Sequence, residues 1–239
     1  MPILKLPLGG MVRYRGMTGR EEDLLMNQRK FKSGEAIDEV LANCVEAFGT
    51  EDESGAFQPT KEFVQVDDIL RLKTPDRLAL LLAVRRESYG DDLDVEMKCE
   101  SCDETFNANI DLSQIETKPV PEDYDPENGF EVVLGSGEDK KHVRFDYMTG
   151  NHERVLAKQK DNLMTAAMRA RLRSVEGVHR NDLKRWLLEL PIHLRRELRQ
   201  KMSDSDCGPV MSRKVDCPYC GHEHTISVHH APGFFYPEA

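Results

Sequence analysis

The sequence predicts an α+β protein, mostly helical with short β-hairpins, made of two pseudo-repeated halves that are joined at a four-cysteine site. Three observations predict this fold class. Apolar residues recur at helical spacing in several segments and alternate over short strand-like runs between them. A strand-to-helix pattern at residues 12–28 returns at residues 143–159. Finally, each half contains one Cys-x-x-Cys motif.

Composition limits the class of protein. The chain has 239 residues, of which 39% are hydrophobic and 32% are charged. It therefore has enough apolar surface for one large core or two small ones, and general disorder is not expected. No apolar run approaches the roughly 18 residues that a membrane-spanning helix requires. The first residues lack the pattern of a secretory signal, so we expect a cytoplasmic protein whose thiols stay reduced.

The first strand and helix of each half match at a constant offset of 131 residues. Val12-Arg13-Tyr14 corresponds to Val143-Arg144-Phe145, and Met17-Thr18-Gly19 corresponds to Met148-Thr149-Gly150. The first triplet is typical of a short half-buried strand, and the threonine of the second is typical of a helix N-cap. In the first copy, the threonine and Glu21 also have the spacing of a capping box.

The match continues along each half with a smaller offset. Pro75 corresponds to Pro191, each followed by two leucines at helical spacing, and the two Cys-x-x-Cys motifs correspond to each other. The smaller offset predicts that the second copy lacks one loop, for which the acidic, glycine-containing residues 49–60 are the candidate. This pattern favours an internal duplication. The alternative is two similar local solutions to the same strand-to-helix turn.

The matches divide the chain into a first half (1–117), an acidic, Pro-rich connector (118–129) and a second half (130–239). The second half is predicted to begin with a hairpin in which residues 130–134 pair with residues 141–147 across a glycine-rich turn at 135–138.

The clearest helix of the first half is predicted at residues 34–48, where the apolar side chains fall on one face. Cys44 lies on that face, so we expect it to be a small buried core residue and not a metal ligand.

Both Cys-x-x-Cys motifs are predicted at the tips of β-hairpins, because alternating apolar residues flank them. In the second motif, Gly221 supports the tight turn. Two such motifs supply four thiolates, the ligand set of a tetrahedral, zinc-ribbon-like site with Zn–S distances of about 2.3 Å. The sequence therefore predicts one structural zinc bound by Cys99, Cys102, Cys217 and Cys220. This ion would clamp the two halves together and, if the duplication is real, lie near a pseudo-two-fold axis.

Two other roles are open to the motifs: a thioredoxin-like redox site and a disulfide within each pair. The redox motif normally opens a helix after a strand, and disulfides are disfavoured in a reducing compartment. A catalytic zinc is not expected, because four thiolates leave no position for water.

Cys207 is interpreted as a turn residue. Four histidines lie near the second motif: His222, His224, His229 and His230. The favoured interpretation is that they are solvated. The alternatives are that they adjoin the metal ligands or contact a partner protein.

Charge is unevenly distributed in the sequence. Residues 154–201 carry 13 Lys and Arg against 5 Asp and Glu, a local charge of +8 in a chain of net charge −10, so the remainder carries −18. The favoured interpretation is internal attraction between an acidic and a basic half, or a solvated helix face. The alternative is a docking surface for an acidic partner, nucleic acid included.

In its order of motifs, the chain resembles the baseplate hub assembly protein family of contractile-tailed phages of the T-even type. The resemblance covers most of the chain, and the cysteine motifs are its specific part. It rests on the following segments: Leu6-Pro7-Leu8-Gly9-Gly10, Val12-Arg13-Tyr14, Met17-Thr18-Gly19-x-x-Glu22, residues 66–90, Leu93-x-Val95-x-Met97-x-Cys99, Cys217-Pro218-Tyr219-Cys220-Gly221 and Phe234-Phe235-Tyr236.

The resemblance implies a non-enzymatic structural or assembly protein whose partners are other baseplate or hub proteins. It would act in the host bacterial cytoplasm during assembly or in the tail baseplate of the virion. The sequence contains no P-loop, GxGxxG, GxSxG or HExxH motif, so we expect no enzyme. An oxidoreductase or metal-dependent hydrolase would need a reactive thiol or an open zinc site. The alternative function is a nucleic-acid-binding zinc-ribbon protein that uses residues 154–201, which the net charge of −10 disfavours.

Both chain ends are short and apolar, at residues 2–8 and 232–237. Two interpretations are open for the aromatic pair Phe234 and Phe235. They either insert into a groove of a partner or cover the core of the protein itself.

Overall fold

The fold was analysed in a computed structural model that describes residues 1–137, 140–159, 161–230 and 233–235. The described residues form the following α-helices: α1 Gly19–Met26, α2 Gln28–Lys32, α3 Glu35–Cys44, α4 Val66–Arg71, α5 Thr74–Tyr89, α6 Gly150–Ala157, α7 Leu163–Arg171, α8 Leu183–Glu189 and α9 Ile192–Asp204. They also form the following strands: β1 Ile3–Lys5, β2 Met11–Tyr14, β3 Val45–Glu51, β4 Phe57–Glu62, β5 Asp92–Lys98, β6 Thr105–Asp111, β7 Thr117–Lys118, β8 Phe130–Leu134, β9 Lys141–Phe145, β10 Leu172–Val175, β11 Gly208–Pro209, β12 Ser212–Asp216 and β13 Glu223–Ser227.

The strands form several small antiparallel sheets, which together with the helices confirm the α+β class. The largest sheet has the order β1-β2-β3-β4 and belongs to the first half of the chain. A three-stranded sheet of order β10-β9-β8 belongs to the second half. The remaining strands pair two by two, as β5-β6, β12-β13 and β7-β11. Within the described residues, no helix is both long and apolar enough to cross a membrane.

Helices α1 and α6 begin in the same way. The predicted capping box of α1 is confirmed, since the backbone N–H of Thr18 donates to Glu21 Oε2 over 2.8 Å. Helix α6 has the same arrangement with a different acceptor, because the N–H of Thr149 donates to Nδ1 of His152 over 3.1 Å. In both cases a side chain of the first helical turn accepts a hydrogen bond from the N–H of the N-cap threonine, a group that would otherwise lack a partner at the helix start.

The prediction of one helix over residues 34–48 is wrong at its C-terminal end. Helix α3 ends at Cys44, and β3 begins at Val45. Val45 lies opposite Tyr14 in the ladder between β2 and β3, and its side chain is buried. A β-branched residue suits a strand, and cross-strand pairing here outweighs a helical pattern that continues past the end of the helix.

Residues 49–60, predicted as a loop, contain a β-hairpin. Strand β3 continues to Glu51, the turn follows, and β4 pairs back from Phe57 onward. Strand β4 is an edge strand whose side chains are almost all exposed. Among the described residues, the sheet of the second half has three strands and no fourth strand like β4.

The larger hydrophobic core lies in the first half. It is built from side chains of α3 and α5 together with β2 and the β5-β6 hairpin, and Leu41, Leu80 and Leu93 are among its fully buried members. Helix α5 is buried over much of its circumference, which explains its many consecutive apolar residues.

A second core lies in the second half, around the hairpin formed by β8 and β9. That hairpin was predicted and is confirmed, with Phe130 opposite Phe145 and Leu134 opposite Lys141. Part of its predicted turn, Glu138, lies outside the described residues. The rings of Phe130 and Phe145 stack at a centroid distance of 5.1 Å, and side chains of α8 and α9 cover them.

Buried ion pairs join the two halves. Asp38 on α3 is almost completely buried and pairs with Arg77 on α5 and with Arg154 on α6. Arg77 also pairs with Glu153 on α6 over 2.9 Å. Each half therefore supplies both acidic and basic side chains to the ion pairs that join the two halves.

A second set of contacts lies beside this cluster. Lys73 pairs with Asp146 over 2.9 Å, and the N–H of Thr74 donates to the carbonyl of Met148 over 2.8 Å. The start of α5 is thus bonded to the segment between β9 and α6, which fixes the two cores against each other.

Apolar side chains near both ends of the described chain pack into the larger core. Strand β1 pairs with β2, and Leu6 is buried in the larger core. Phe234 and Phe235 are buried in the same core, with exposed fractions of 2% and 3%. The interpretation that these aromatics cover the protein's own core is confirmed, and insertion into a partner is ruled out for them. Tyr236 lies outside the described residues.

Candidate metal centre

Two β-hairpins position the four predicted ligands. Lys98 and Thr105 form the last pair of the β5-β6 ladder, and Asp216 and Glu223 form the last pair of the β12-β13 ladder. Each Cys-x-x-Cys motif follows directly as the tip of its hairpin, as predicted from the alternating flanks. We call each of these cysteine-bearing tips a knuckle.

The two knuckles have the same backbone geometry. The N–H of Cys99 donates to the carbonyl of Glu104 and the N–H of Cys217 donates to the carbonyl of His222, both over 2.9 Å. The residue after the second cysteine has a left-handed conformation in each case, with φ of 60° at position 103 and 72° at position 221. Gly221 adopts this conformation without strain, whereas the first knuckle uses an aspartate.

The knuckles bring four sulfur atoms together. Sγ of Cys99 lies 3.6 Å from Sγ of Cys220, and Sγ of Cys102 lies 3.7 Å from Sγ of Cys217. All four sulfurs lie within 4.8 Å of one another. A tetrahedral ion with Zn–S distances of about 2.3 Å requires S–S distances of roughly 3.8 Å. The cluster therefore has the size and the donor set of a single tetrahedral metal site.

Burial differs among the four thiols. Cys99 and Cys217 are buried, Cys102 is half-buried and Cys220 is exposed. Phe106 and Ala108 pack against the buried pair and form a small hydrophobic cluster beneath the sulfurs. Such an apolar layer shields one side of a metal site from water and holds the ligands in place.

The thiols differ strongly in acidity. Burial raises the pKa of Cys99, but hydrogen bonds from the backbone N–H groups of Cys102 and Ser101 and from His224 outweigh it and lower the pKa to about 5. For Cys102 a backbone hydrogen bond from Glu104 lowers the pKa, but burial and the three neighbouring thiols raise it to about 12. Four thiolates cannot be close together without a compensating positive charge, and a divalent cation supplies that charge.

His224 is a neighbour of the ligands and is not solvated, so the favoured interpretation is wrong for this histidine. Its side chain is buried, and Nε2 lies 3.4 Å from Sγ of Cys99. The alternation of β13 is the signal that identifies it, because Glu223 and Thr225 point outward and the residue between them points inward.

The other histidines differ from His224. His222 is exposed, and its ring contacts that of His224 at a centroid distance of 4.8 Å. His229 is half-buried, with Nδ1 3.4 Å from Oγ of Ser227. The side chain of His230 lies outside the described residues.

Two cysteines lie away from the centre. Cys44 is fully buried in the larger core, as predicted, and burial raises its pKa to about 12. Cys207 is half-buried just before β11 and packs against the smaller core. In the part of the chain that the structure describes, the four knuckle cysteines are the one group of His, Cys, Asp and Glu side chains close enough to hold a metal ion.

Comparison with known proteins identifies the family. A family model described as T4 bacteriophage base plate protein matches residues 2–236, which is nearly the whole chain. No curated protein and no solved structure matches the chain significantly. The match agrees with the resemblance carried by the cysteine motifs and their flanking segments. The chain therefore belongs to the T4 bacteriophage base plate protein family, whose members are structural proteins of the phage baseplate.

Proposed function

We propose that this chain is a non-enzymatic structural or assembly protein of the baseplate hub, held in its folded shape by one zinc ion and acting through contacts with other baseplate proteins. The observation that carries this proposal is the meeting of four sulfurs from two distant hairpins at distances that suit one tetrahedral ion. Four thiolate ligands complete the coordination of zinc, so the proposed role of the metal is structural.

The position of the site supports a clamp. The two cysteines in each close sulfur pair are more than a hundred residues apart in sequence, and the metal would close this long stretch into a loop. Because the unfolded chain does not hold the four sulfurs together, the free energy of metal binding contributes directly to the free energy of folding. A clamp of this kind would fix the two hairpins against each other beside the larger core, to which Leu93 of the first half and Val228 of the second both belong. A rigid assembly component requires such fixed segments.

An internal duplication is part of the proposal, with halves at 1–117 and 130–239 and the connector 118–129 between them. In both halves a capped helix follows the second strand, β2 or β9. A later helix, α3 or α7, then runs directly into a strand, β3 or β10, that pairs with that second strand. Tyr14 lies opposite Val45 in the first half, and the corresponding Phe145 lies opposite Leu172 in the second. Both ladders have an irregular register at this point.

The sulfur contacts also support the duplication. In each close pair, the first cysteine of one knuckle contacts the second cysteine of the other, at 3.6 and 3.7 Å. A two-fold axis through the metal would exchange these two contacts. Their similar lengths therefore favour a pseudo-two-fold axis at the centre.

The first experiment is elemental analysis of the purified protein, combined with thermal unfolding before and after chelation. We expect one zinc per chain and a large loss of stability when it is removed. Zinc that leaves without any loss of stability, or its absence from protein purified without chelators, would contradict the clamp.

The assembly role is tested in the phage that encodes the chain. A nonsense mutant of the gene should produce incomplete baseplates by electron microscopy, and a plasmid copy of the native gene should restore complete ones. Normal baseplates in the nonsense mutant would contradict the proposed function, whatever the metal content.

A further inference from the structure

A surface cavity of about 520 Å³ lies between α6 and α7 and reaches the start of α8. Its lining is mixed. Among the residues that line it are four apolar side chains, two cations and one carboxylate: Val155, Leu156, Ala166, Ala170, Arg169, Lys184 and Asp161.

Exposed apolar side chains are frequent in the helices that form this cavity. Of the eleven large hydrophobic side chains that are exposed in the described part of the chain, five lie on or beside helices α6 to α9, and one of these, Val155, lines the cavity. All five are more than half exposed: Val155, Leu163, Met164, Leu188 and Ile192.

Side-chain contacts connect the cavity to α9. Nη2 of Arg195 donates to Oγ1 of Thr165, a cavity-lining residue, over 2.6 Å. Nη1 of Arg199 lies 3.0 Å from Sδ of Met164. The arginines of α9 therefore border the N-terminal end of α7 and form one continuous surface with the cavity. We call this surface, from α6 to α9, the α6–α9 face.

The charge of this segment is only partly neutralised within the chain. Five of its cations form ion pairs with carboxylates: Arg154, Arg171, Arg173, Arg185 and Lys201. Lys160 lies outside the described residues. Among the residues that the structure describes, seven further cations form no ion pair with a carboxylate: Lys158, Arg169, Arg180, Lys184, Arg195, Arg196 and Arg199.

We propose that the α6–α9 face binds an acidic amphipathic helix of another baseplate protein, an inference that rests on the assembly role proposed above. Apolar residues of the bound helix would enter the cavity, and its carboxylates would pair with the surrounding cations. This partner chemistry matches the apolar side chains of the cavity lining and the excess of unpaired cations among the described residues of the α6–α9 face.

Nucleic acid fits this face less well. Proteins that bind single strands stack bases on exposed aromatic side chains, and none of the five exposed apolar residues here is aromatic. Phosphate contacts alone would use the cations but leave the cavity unfilled.

The test uses fluorescence anisotropy with the full-length, zinc-loaded protein. The probe is a labelled synthetic helical peptide with leucines at i, i+3, i+4 and i+7 and glutamates on its other face. We expect this peptide to bind. A scrambled peptide of the same composition, a peptide with lysine for glutamate and a single-stranded oligonucleotide should each bind at least about tenfold more weakly.

Two variants on the α6–α9 face and two matched controls on α1 test whether binding depends on this face or on the overall charge and hydrophobicity of the protein. Lys184→Glu and Val155→Glu should each weaken peptide binding about tenfold. The matched controls, Arg20→Glu and Met26→Glu, change an exposed cation and an exposed apolar residue of α1 and should leave binding unchanged. All four variants should keep native zinc content and thermal stability, because the substituted side chains are exposed.

Four outcomes would overturn the inference. They are failure of the acidic peptide to bind, equal binding of the scrambled peptide, equal binding of the oligonucleotide, and self-association of the protein that Lys184→Glu abolishes.

Complementation in the phage separates this inference from the assembly role. If the native gene restores baseplates and a gene carrying both Lys184→Glu and Val155→Glu does so equally well, the α6–α9 face is not used although the proposed function stands. If the native gene has no role in baseplate formation, both proposals fail.

Discussion

Sγ of Cys99 lies 3.6 Å from Sγ of Cys220, although 121 positions separate the two residues in the sequence. The two sulfurs belong to different hairpins, and each hairpin is stabilised by its own backbone ladder. A metal ion is the component that would make this contact favourable, because close thiolates otherwise repel one another. The strength of the proposed clamp can therefore be measured by removing single sulfurs.

Replacing Cys99 or Cys217 with serine should remove the zinc and lower the free energy of unfolding by several kcal/mol. Both residues are buried at the base of their knuckles. Elemental analysis and chemical denaturation measure the two effects. Cys207→Ser is the control, since this half-buried cysteine lies away from the cluster and should retain the metal. Native metal content and stability in Cys99→Ser would rule out the clamp.

His224→Ala should weaken zinc binding without abolishing it. The histidine contacts Sγ of Cys99 over 3.4 Å but is not one of the four close sulfurs, so its loss should reduce metal affinity by about 10- to 100-fold. Competition with a chromogenic chelator measures this change. His222→Ala, an exposed neighbour, should have little effect. An equal loss of affinity in both variants would show that the contact to Cys99 has no special role.

Asp38→Asn should destabilise the protein by about 3 kcal/mol, because Arg154 loses its carboxylate partner and the largely buried Arg77 keeps only Glu153. Asp38 pairs with Arg77 and Arg154 across the boundary between the halves. Urea denaturation measures the change. Glu189→Gln, which breaks an exposed pair with Arg185, should cause no resolvable loss. If the two variants lost the same stability, the buried cluster would not hold the halves together.

Asp76→Asn should stabilise the protein at neutral pH by about 2 kcal/mol. Burial raises the pKa of Asp76 from 3.8 to about 6, against the opposing effects of the Leu8 N–H and of Lys73. Because the folded state binds this proton more tightly than the unfolded state, stability falls as the pH rises from 3.8 to about 6.

Asparagine keeps the oxygen that accepts the Leu8 N–H over 2.8 Å but does not ionise. The advantage of the variant should therefore disappear below the unfolded pKa of 3.8, where both side chains are neutral. Chemical denaturation across this pH range measures the difference. A gain in stability that does not depend on pH would contradict the explanation by ionisation.

Several elements of this protein are readable from local sequence. The knuckles at hairpin tips, the capping box of Thr18 and Glu21 and the hairpin of β8 with β9 all depend on residues that are close to one another in the sequence. The position of Cys44 in the core also followed from helical periodicity within its own segment. The alternation of apolar residues, the spacing of motifs and the turn residues encode these features, so local sequence patterns alone predict them.

The errors have a common origin in contacts between distant segments. Helix α3 ends four residues early because Val45 pairs with Tyr14, and His224 is buried because its strand faces Cys99 of the other hairpin. For the same reason the sequence left two interpretations open for Phe234, whose packing partners lie in the first half of the chain. None of these partners can be identified from the spacing around the residue itself.

The amino-acid pattern was sufficient to establish the α+β class, the four candidate ligands and the family to which the chain belongs. Folding in three dimensions was needed to show that the four sulfurs meet, that Asp38 bridges two arginines and that Arg169 and Lys184 line a surface cavity. The physical reason is the range of the interactions. Secondary structure depends on neighbours along the chain, whereas a metal site, a buried ion pair or a docking surface depends on which distant segments pack together.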